Sequence, residues 1–104
     1  MKIQLVLFLA SSSEIATSHL MLKTFTSDIR PVRGDLIDDP GFDPRFHNGY
    51  EVAKVTISYA SEECWVSLAP LAIEAEEMPL ADYKAKLAAN GWREVTKVEL
   101  QQGG

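Results

Sequence analysis

Apolar residues recur at every second position near the start of the chain: Ile3, Leu5, Leu7 and Leu9, with Val6 and Phe8 between them. Period two is the spacing of side chains on one face of a strand. Apolar residues on both faces predict a covered, central strand over Lys2–Ala10. The run is too short to span a membrane, carries Gln4 and has no small-x-small cleavage site after it. It therefore reads as a buried strand, not a signal peptide. Ser11-x-x-Glu14 fits a capping box and predicts a short helix within Ser11–Ser18, although the Thr and Ser that follow disfavour one.

His19–Thr26 alternates again, with Leu20 and Leu22 on one face and Met21 and Phe25 on the other, which predicts a hairpin with the first strand. Pro31 ends it, because proline cannot donate to a ladder. Val32–Ile37 reads as a short strand entered through Gly34-Asp35. Asp38–Gly49 holds Pro40, Gly41, Pro44 and Gly49 and reads as a long irregular loop. Tyr50–Tyr59 alternates, Val52, Lys54, Thr56 and Ser58 against Ala53, Val55, Ile57 and Tyr59. Ser61-Glu62-Glu63 makes a tight link to a partner strand over Cys64–Leu71. Pro79 opens a helix that runs to about residue 90, with Leu80, Tyr83 and Leu87 at helical spacing, Asp82 and Lys86 paired on the wet face, and Gly91 as a left-handed cap. Trp92–Leu100 reads as the last strand and residues 101–104 as a tail.

The order β-β-β-β-β-α-β predicts an α+β fold over residues 1–104: a mostly antiparallel curved sheet, or open small barrel, of five to six strands with one helix in the C-terminal half. The expected core is Leu5, Leu7, Val52, Val55, Ile57, Trp65, Val66, Leu68, Tyr83, Leu87 and Trp92.

Composition narrows the function classes. Hydrophobic residues make up 46% of the 104 residues and charged ones 24%, which is globular rather than disordered. The formal charge of −5 lacks the basic surplus that phosphate neutralisation needs, so it argues against a nucleic-acid partner. It is also too mild for a DNA mimic. The single cysteine, Cys64, excludes an internal disulfide and fits a reducing cytoplasm.

No catalytic, metal-binding or phosphate-binding motif stands out. Phe42, Arg45, Phe46, His47 and Tyr50 form the best binding candidate, because aromatic residues and arginine anchor interaction surfaces. The competing reading is that Phe42 and Phe46 pin the loop onto the sheet. Asp38, Asp39 and Asp43 are candidate metal ligands, but Pro40 and Pro44 limit how the loop could wrap an ion and the spacing differs from an EF-hand. A zinc site would need His19 and His47 together with carboxylates or Cys64, and no motif supports it. Cys64 lacks a helix N-terminus or cation to activate it and reads as a structural thiol. The terminal Gly103-Gly104 matches the tail of ubiquitin-like modifiers and sulfur carriers. The β-grasp order, however, places the helix after the second strand.

The pattern Pro31-x-x-Gly34-Asp35-x-Ile37, followed by Gly49-Tyr50-x-Val52-x-x-Val55, resembles small bacterial and phage-encoded proteins of uncharacterised role, within the stretch from Pro31 to Leu68. The longer 38–49 loop and the added helix depart from their usual form. The resemblance implies a small β-rich domain, carried by a mobile element, and transfers no catalytic residue.

These observations point to a non-enzymatic protein-binding or adaptor domain with no cofactor and a protein partner, and away from nucleic acid and membranes. A homodimer through the edge strand at 92–100 fits the same reading. The alternatives are a small metal-dependent enzyme using the 38–50 loop and a Gly-Gly-tailed modifier.

Overall fold

The structure is a computed structural model that describes residues 1–11, 14–42, 49–69, 71–73 and 80–96. Among the described residues seven strands and one helix follow in the order β1 (Lys2–Ser11), β2 (Glu14–Thr26), β3 (Leu36–Ile37), β4 (Tyr50–Ser58), β5 (Glu63–Leu68), β6 (Leu71–Ile73), α1 (Leu80–Ala89) and β7 (Arg93–Val95). The strands form one curled sheet in the order β3-β4-β5-β1-β2-β7, with β6 also beside β1. The α+β class and the single helix agree with the pattern along the chain. The sheet is mixed: β1 runs antiparallel to β2 but parallel to β5 and β6. The reason is topological. The link after β2 carries the chain to the far edge, so the β4–β5 hairpin returns onto the free side of β1 in the same direction as β1.

Period two in β1 is realised as read. Ile3, Leu5, Leu7 and Leu9 are buried on the inner face, none more than 2% exposed. Each such burial stabilises the fold by about 2 kcal/mol. Cys64, Val66 and Leu68 line the same face from β5, and Met21 lies opposite Leu7 on β2. Tyr83 and Leu87 of α1 close over this face, joined by Phe42, Tyr50 and Trp92. Trp65 was expected in the core and is instead half-buried, because it alternates with Cys64 and Val66 and so points to the outer face. That face carries the Gln4 side chain, which donates to Glu63 at 3.3 Å and accepts from Thr24 Oγ1.

Strand β4 shows how an irregularity serves the core. Strict alternation puts Val52 on the face opposite Val55 and Ile57. The structure buries all or part of all three on the inner face. A β-bulge reconciles the two: Val52 faces Leu68 and Lys54 faces Ser67, so Ala53 is an extra residue that shifts the phase. Downstream, Val55 then faces Val66 and Ile57 faces Cys64.

Four boundaries differ from the sequence reading. Ser11 pairs with Glu14 in the β1–β2 ladder, so the capping-box pattern is taken up by a hairpin and β2 starts at Glu14 instead of a helix. Continued ladder hydrogen bonds outweigh a cap on a segment rich in β-branched residues. Only Leu36–Ile37 forms a strand in the third segment, because Val32–Asp35 is a turn: Asp35 donates its N–H to the Val32 carbonyl at 3.0 Å, and its carboxylate accepts from the Val32 N–H at 3.0 Å. The partner of β4 ends at Leu68, and Leu71–Ile73 forms β6 against β1. The last strand covers Arg93–Val95, and residues 97–104, with the Gly-Gly tail, lie outside the described residues.

The end of α1 places Trp92. Gly91 adopts φ 94°, the Trp92 N–H bonds the Leu87 carbonyl at 3.1 Å and the Gly91 N–H bonds the Ala88 carbonyl at 3.3 Å. This is a Schellman cap, which commonly packs the residue after the glycine against the last helical turn. Here it brings Trp92 onto Leu87 in the core. Deleting Ala53 tests the bulge. The deletion leaves Val52 opposite Leu68 and Lys54 opposite Ser67 in a regular ladder, so it should cost less than Val52→Ala, which removes a buried aliphatic side chain at about 2 kcal/mol. Urea unfolding of the deletion and of Val52→Ala measures the difference.

Candidate interaction surface

The long loop enters the core at both described ends. Phe42 and Tyr50, named from the sequence as binding residues, are 3% and 7% exposed. Their rings meet edge to face at 4.4 Å, and Phe42 also lies 5.6 Å from the Trp92 ring. The Tyr50 hydroxyl shares a buried 2.7 Å hydrogen bond with that of Tyr83. These two side chains pack the loop onto the helix and present no ring to a partner. Arg45, Phe46 and His47 lie outside the described residues.

Asp39 anchors this arrangement. One carboxylate oxygen takes a 2.5 Å bond from Lys23 Nζ on β2. The other accepts from the Gly41 N–H at 2.8 Å and from the Trp92 indole N–H at 2.9 Å. Gly41 leaves room for this approach: a Cβ would stand 3.0 Å from the Asp39 carboxylate and 3.2 Å from Asn90, so both would have to shift slightly. Asp39 is thus committed to three protein donors, which removes it as a ready metal ligand. Asp38 is exposed, and Asp43 lies outside the described residues. Among the described residues no group of three His, Cys, Asp or Glu side chains is placed to hold a metal ion.

A second polar cluster joins the helix to the sheet rim. His19 Nδ1 on β2 lies 2.5 Å from Glu94 Oε2 on β7, Lys84 Nζ on α1 bonds Glu94 Oε1 at 2.7 Å, and Lys84 Nζ lies 3.3 Å from His19 Nδ1. Pattern reading could not find it, since its members are far apart in sequence and match no motif. Lys84 first and His19 next hold the Glu94 carboxyl below its ordinary value. Glu94 stands between two bases and ties three elements together. Cys64 is fully buried, and that burial pushes its thiol up, with Arg30 acting weakly in the other direction. A thiol held protonated in this way is a poor nucleophile.

The unusual surface is at one end of the sheet, where β1 begins, β2 ends and β4 turns into β5. Met1 and Ser27 exchange main-chain bonds there, and Lys2 N–H bonds the Glu62 carbonyl at 3.0 Å. Tyr59 is 78% exposed in the turn, with Met1 and Phe25 more than one-third exposed nearby in the fold. Met1, Tyr59 and Glu62 line an open cavity of about 360 Å³. The link that leaves β2 carries Ile29 at 81% and Val32 at 50% exposure, and Leu36 on β3 is 64% exposed. Single exposed apolar residues are ordinary; Met1, Phe25 and Tyr59 stand at this end of the sheet, while Val32 and Leu36 lie toward the other end of β4.

No known protein family, no curated protein and no solved structure matches this chain. Among the described residues no helix is long and apolar enough to cross a membrane.

Two outcomes are expected. Asp39→Ala and Phe42→Ala should each lower stability by about 3 kcal/mol, the first by stranding Lys23 and the Trp92 indole, the second by opening a cavity. Denaturant midpoints at neutral pH measure both. Glu94 has a lowered carboxyl in the fold, so its stabilisation is present above the ordinary glutamate value and fades as pH falls through the lower folded value. Glu94→Gln should therefore be less stable than the parent at neutral pH, and the gap should close on acidification. The group is solvent-exposed, so the gap should also shrink in high salt.

Proposed function

We propose that this chain is a non-enzymatic protein-binding domain that docks through the apolar end bearing Met1, Phe25, Ile29 and Tyr59. The observation that carries this reading is the exposure of Tyr59 and Ile29, which nothing in the described structure covers. Aromatic and long aliphatic side chains of this kind supply most of the binding energy at protein interfaces. The polar clusters support the same reading. Asp39 is saturated by its own fold and Glu94 by His19 and Lys84, so neither offers a free acid or base aimed at an open cleft. The cytoplasm, where Cys64 stays a thiol, is the compartment that fits.

The surface differs from the loop favoured by the sequence pattern, because Phe42 and Tyr50 are spent on packing. The metal-dependent alternative has lost Asp39 to Lys23 and Trp92. The helix after β6 also departs from the β-grasp order of the Gly-Gly modifiers.

The test is affinity capture from lysate of the source organism at low and high salt, with the parent and the Ile29→Ser, Tyr59→Ser double variant. Both positions are exposed, so the variant should keep its stability to within about 0.5 kcal/mol per site. A specific protein retained by the parent and lost by the variant is the expected result. The same set retained by both would overturn the proposed surface.

A further inference from the structure

Strand β4 is paired unequally on its two sides. β5 accompanies it from Val52 to Ser58. On the other side β3 pairs only with Tyr50 and Glu51, and the Val32–Asp35 turn then bonds Val52 in both directions: Gly34 N–H to the Val52 carbonyl at 2.9 Å and Val52 N–H to the Asp35 carbonyl at 2.8 Å. Among the described residues no backbone hydrogen bond reaches this side of β4 from Lys54 to Ser58. An unpaired edge is a template for another strand. This one reads K-V-T-I-S, rich in β-branched residues and without proline or an inward charge. Val55 and Ile57 pack against the core yet stay half-buried at this edge.

Apolar groups flank both ends of the free stretch. Tyr59 follows it at 78% exposure, while Val32 and Leu36 lie beside its start at 50% and 64%. We propose that the partner is a second copy of this chain, added antiparallel along β4 about a two-fold axis at Thr56. The inference rests on the protein-binding reading above and names the partner of its Tyr59 side. In this register Val55 faces Ile57 of the second copy and Lys54 faces Ser58, so no charge meets its like. Tyr59 arrives level with Ala53 of the second copy, beside the turn that carries Val32. The same contact forms twice, as an isologous interface requires. A foreign peptide would need only one of these apolar ends, whereas two copies use both. The pairing stops where the Val32–Asp35 turn already occupies Val52. An interface this short falls below the usual area of stable complexes, so the dimer should form only at about micromolar concentrations or above.

Sedimentation of the full chain across a wide concentration range tests this, together with Thr56→Asp and Thr56→Lys. Thr56 is exposed on the outer face, so neither variant should disturb the monomer. Each alone places two like charges face to face on the axis and should weaken the dimer by at least about tenfold. An equimolar mixture of the two variants should restore dimer, because Asp then faces Lys. A parent that stays monomeric to millimolar concentration, or a dimer that survives both substitutions, would overturn the proposal. Loss of the Ile29, Tyr59-dependent lysate partner is a separate outcome: a monomeric parent that still captures such a protein would sink the self-pairing and leave the binding reading intact.

Discussion

The carboxylate of Asp39 holds the inner side of this fold together. It reaches β2 through Lys23, its own loop through the Gly41 N–H, and the residue after α1 through the Trp92 indole. Burying a carboxylate is costly, and one lone donor would not offset the lost hydration. Three donors satisfy it, and they join the loop to β2 and to the residue that leads into β7, where Leu22 already pairs with Arg93. Because the contacts are directional, they position what hydrophobic burial alone would leave free to slide. Phe42 follows Asp39 by three residues and is set against Tyr50 and Trp92. The loop that looked open in the sequence is therefore clamped at the core where it is described.

Around that clamp the sheet is organised by β1. It has partners on both sides, β2 on one and β5 then β6 on the other, and side chains buried on both faces. A strand so fully used leaves the unpaired edge to the periphery, here β4 beyond its short partner β3. The bulge at Ala53 lets β4 give Val52 and Ile57 to one core while its edge beyond Val52 stays unpaired. The apolar residues left uncovered, Tyr59 above all, fall at that same periphery. Buried core and exposed apolar side chains thus divide between the centre and the rim of one sheet.

Much of the architecture was legible in the chain. The alternation of Ile3, Leu5, Leu7 and Leu9, the β4–β5 hairpin, the helix near residue 80 and the Gly91 cap all appear where local patterning puts them. Local rules failed where two of them competed. Ser11-x-x-Glu14 satisfies a cap and a ladder equally well on paper, and the neighbouring strand decided for the ladder. Val32–Ile37 carries strand-forming residues, yet the Asp35 side chain captures the Val32 N–H and makes a turn. The candidate site was the least legible part. Aromatic residues in a loop read alike whether they anchor a partner or a core, and only burial separates Phe42 from Tyr59.

By itself the sequence determined the strands β1, β4 and β5 and the helix, which face of β1 is most apolar, and that no internal disulfide can form, because propensity, period and composition are properties of neighbouring residues. The tertiary structure alone decided that β5 joins β1 in parallel, that Asp39 meets Lys23 and Trp92, that Glu94 meets His19 and Lys84, and that the side of β4 from Lys54 to Ser58 is left without a strand among the described residues. Those are pairings between distant residues. They are chosen by which surfaces can be buried together, and no local pattern carries that information.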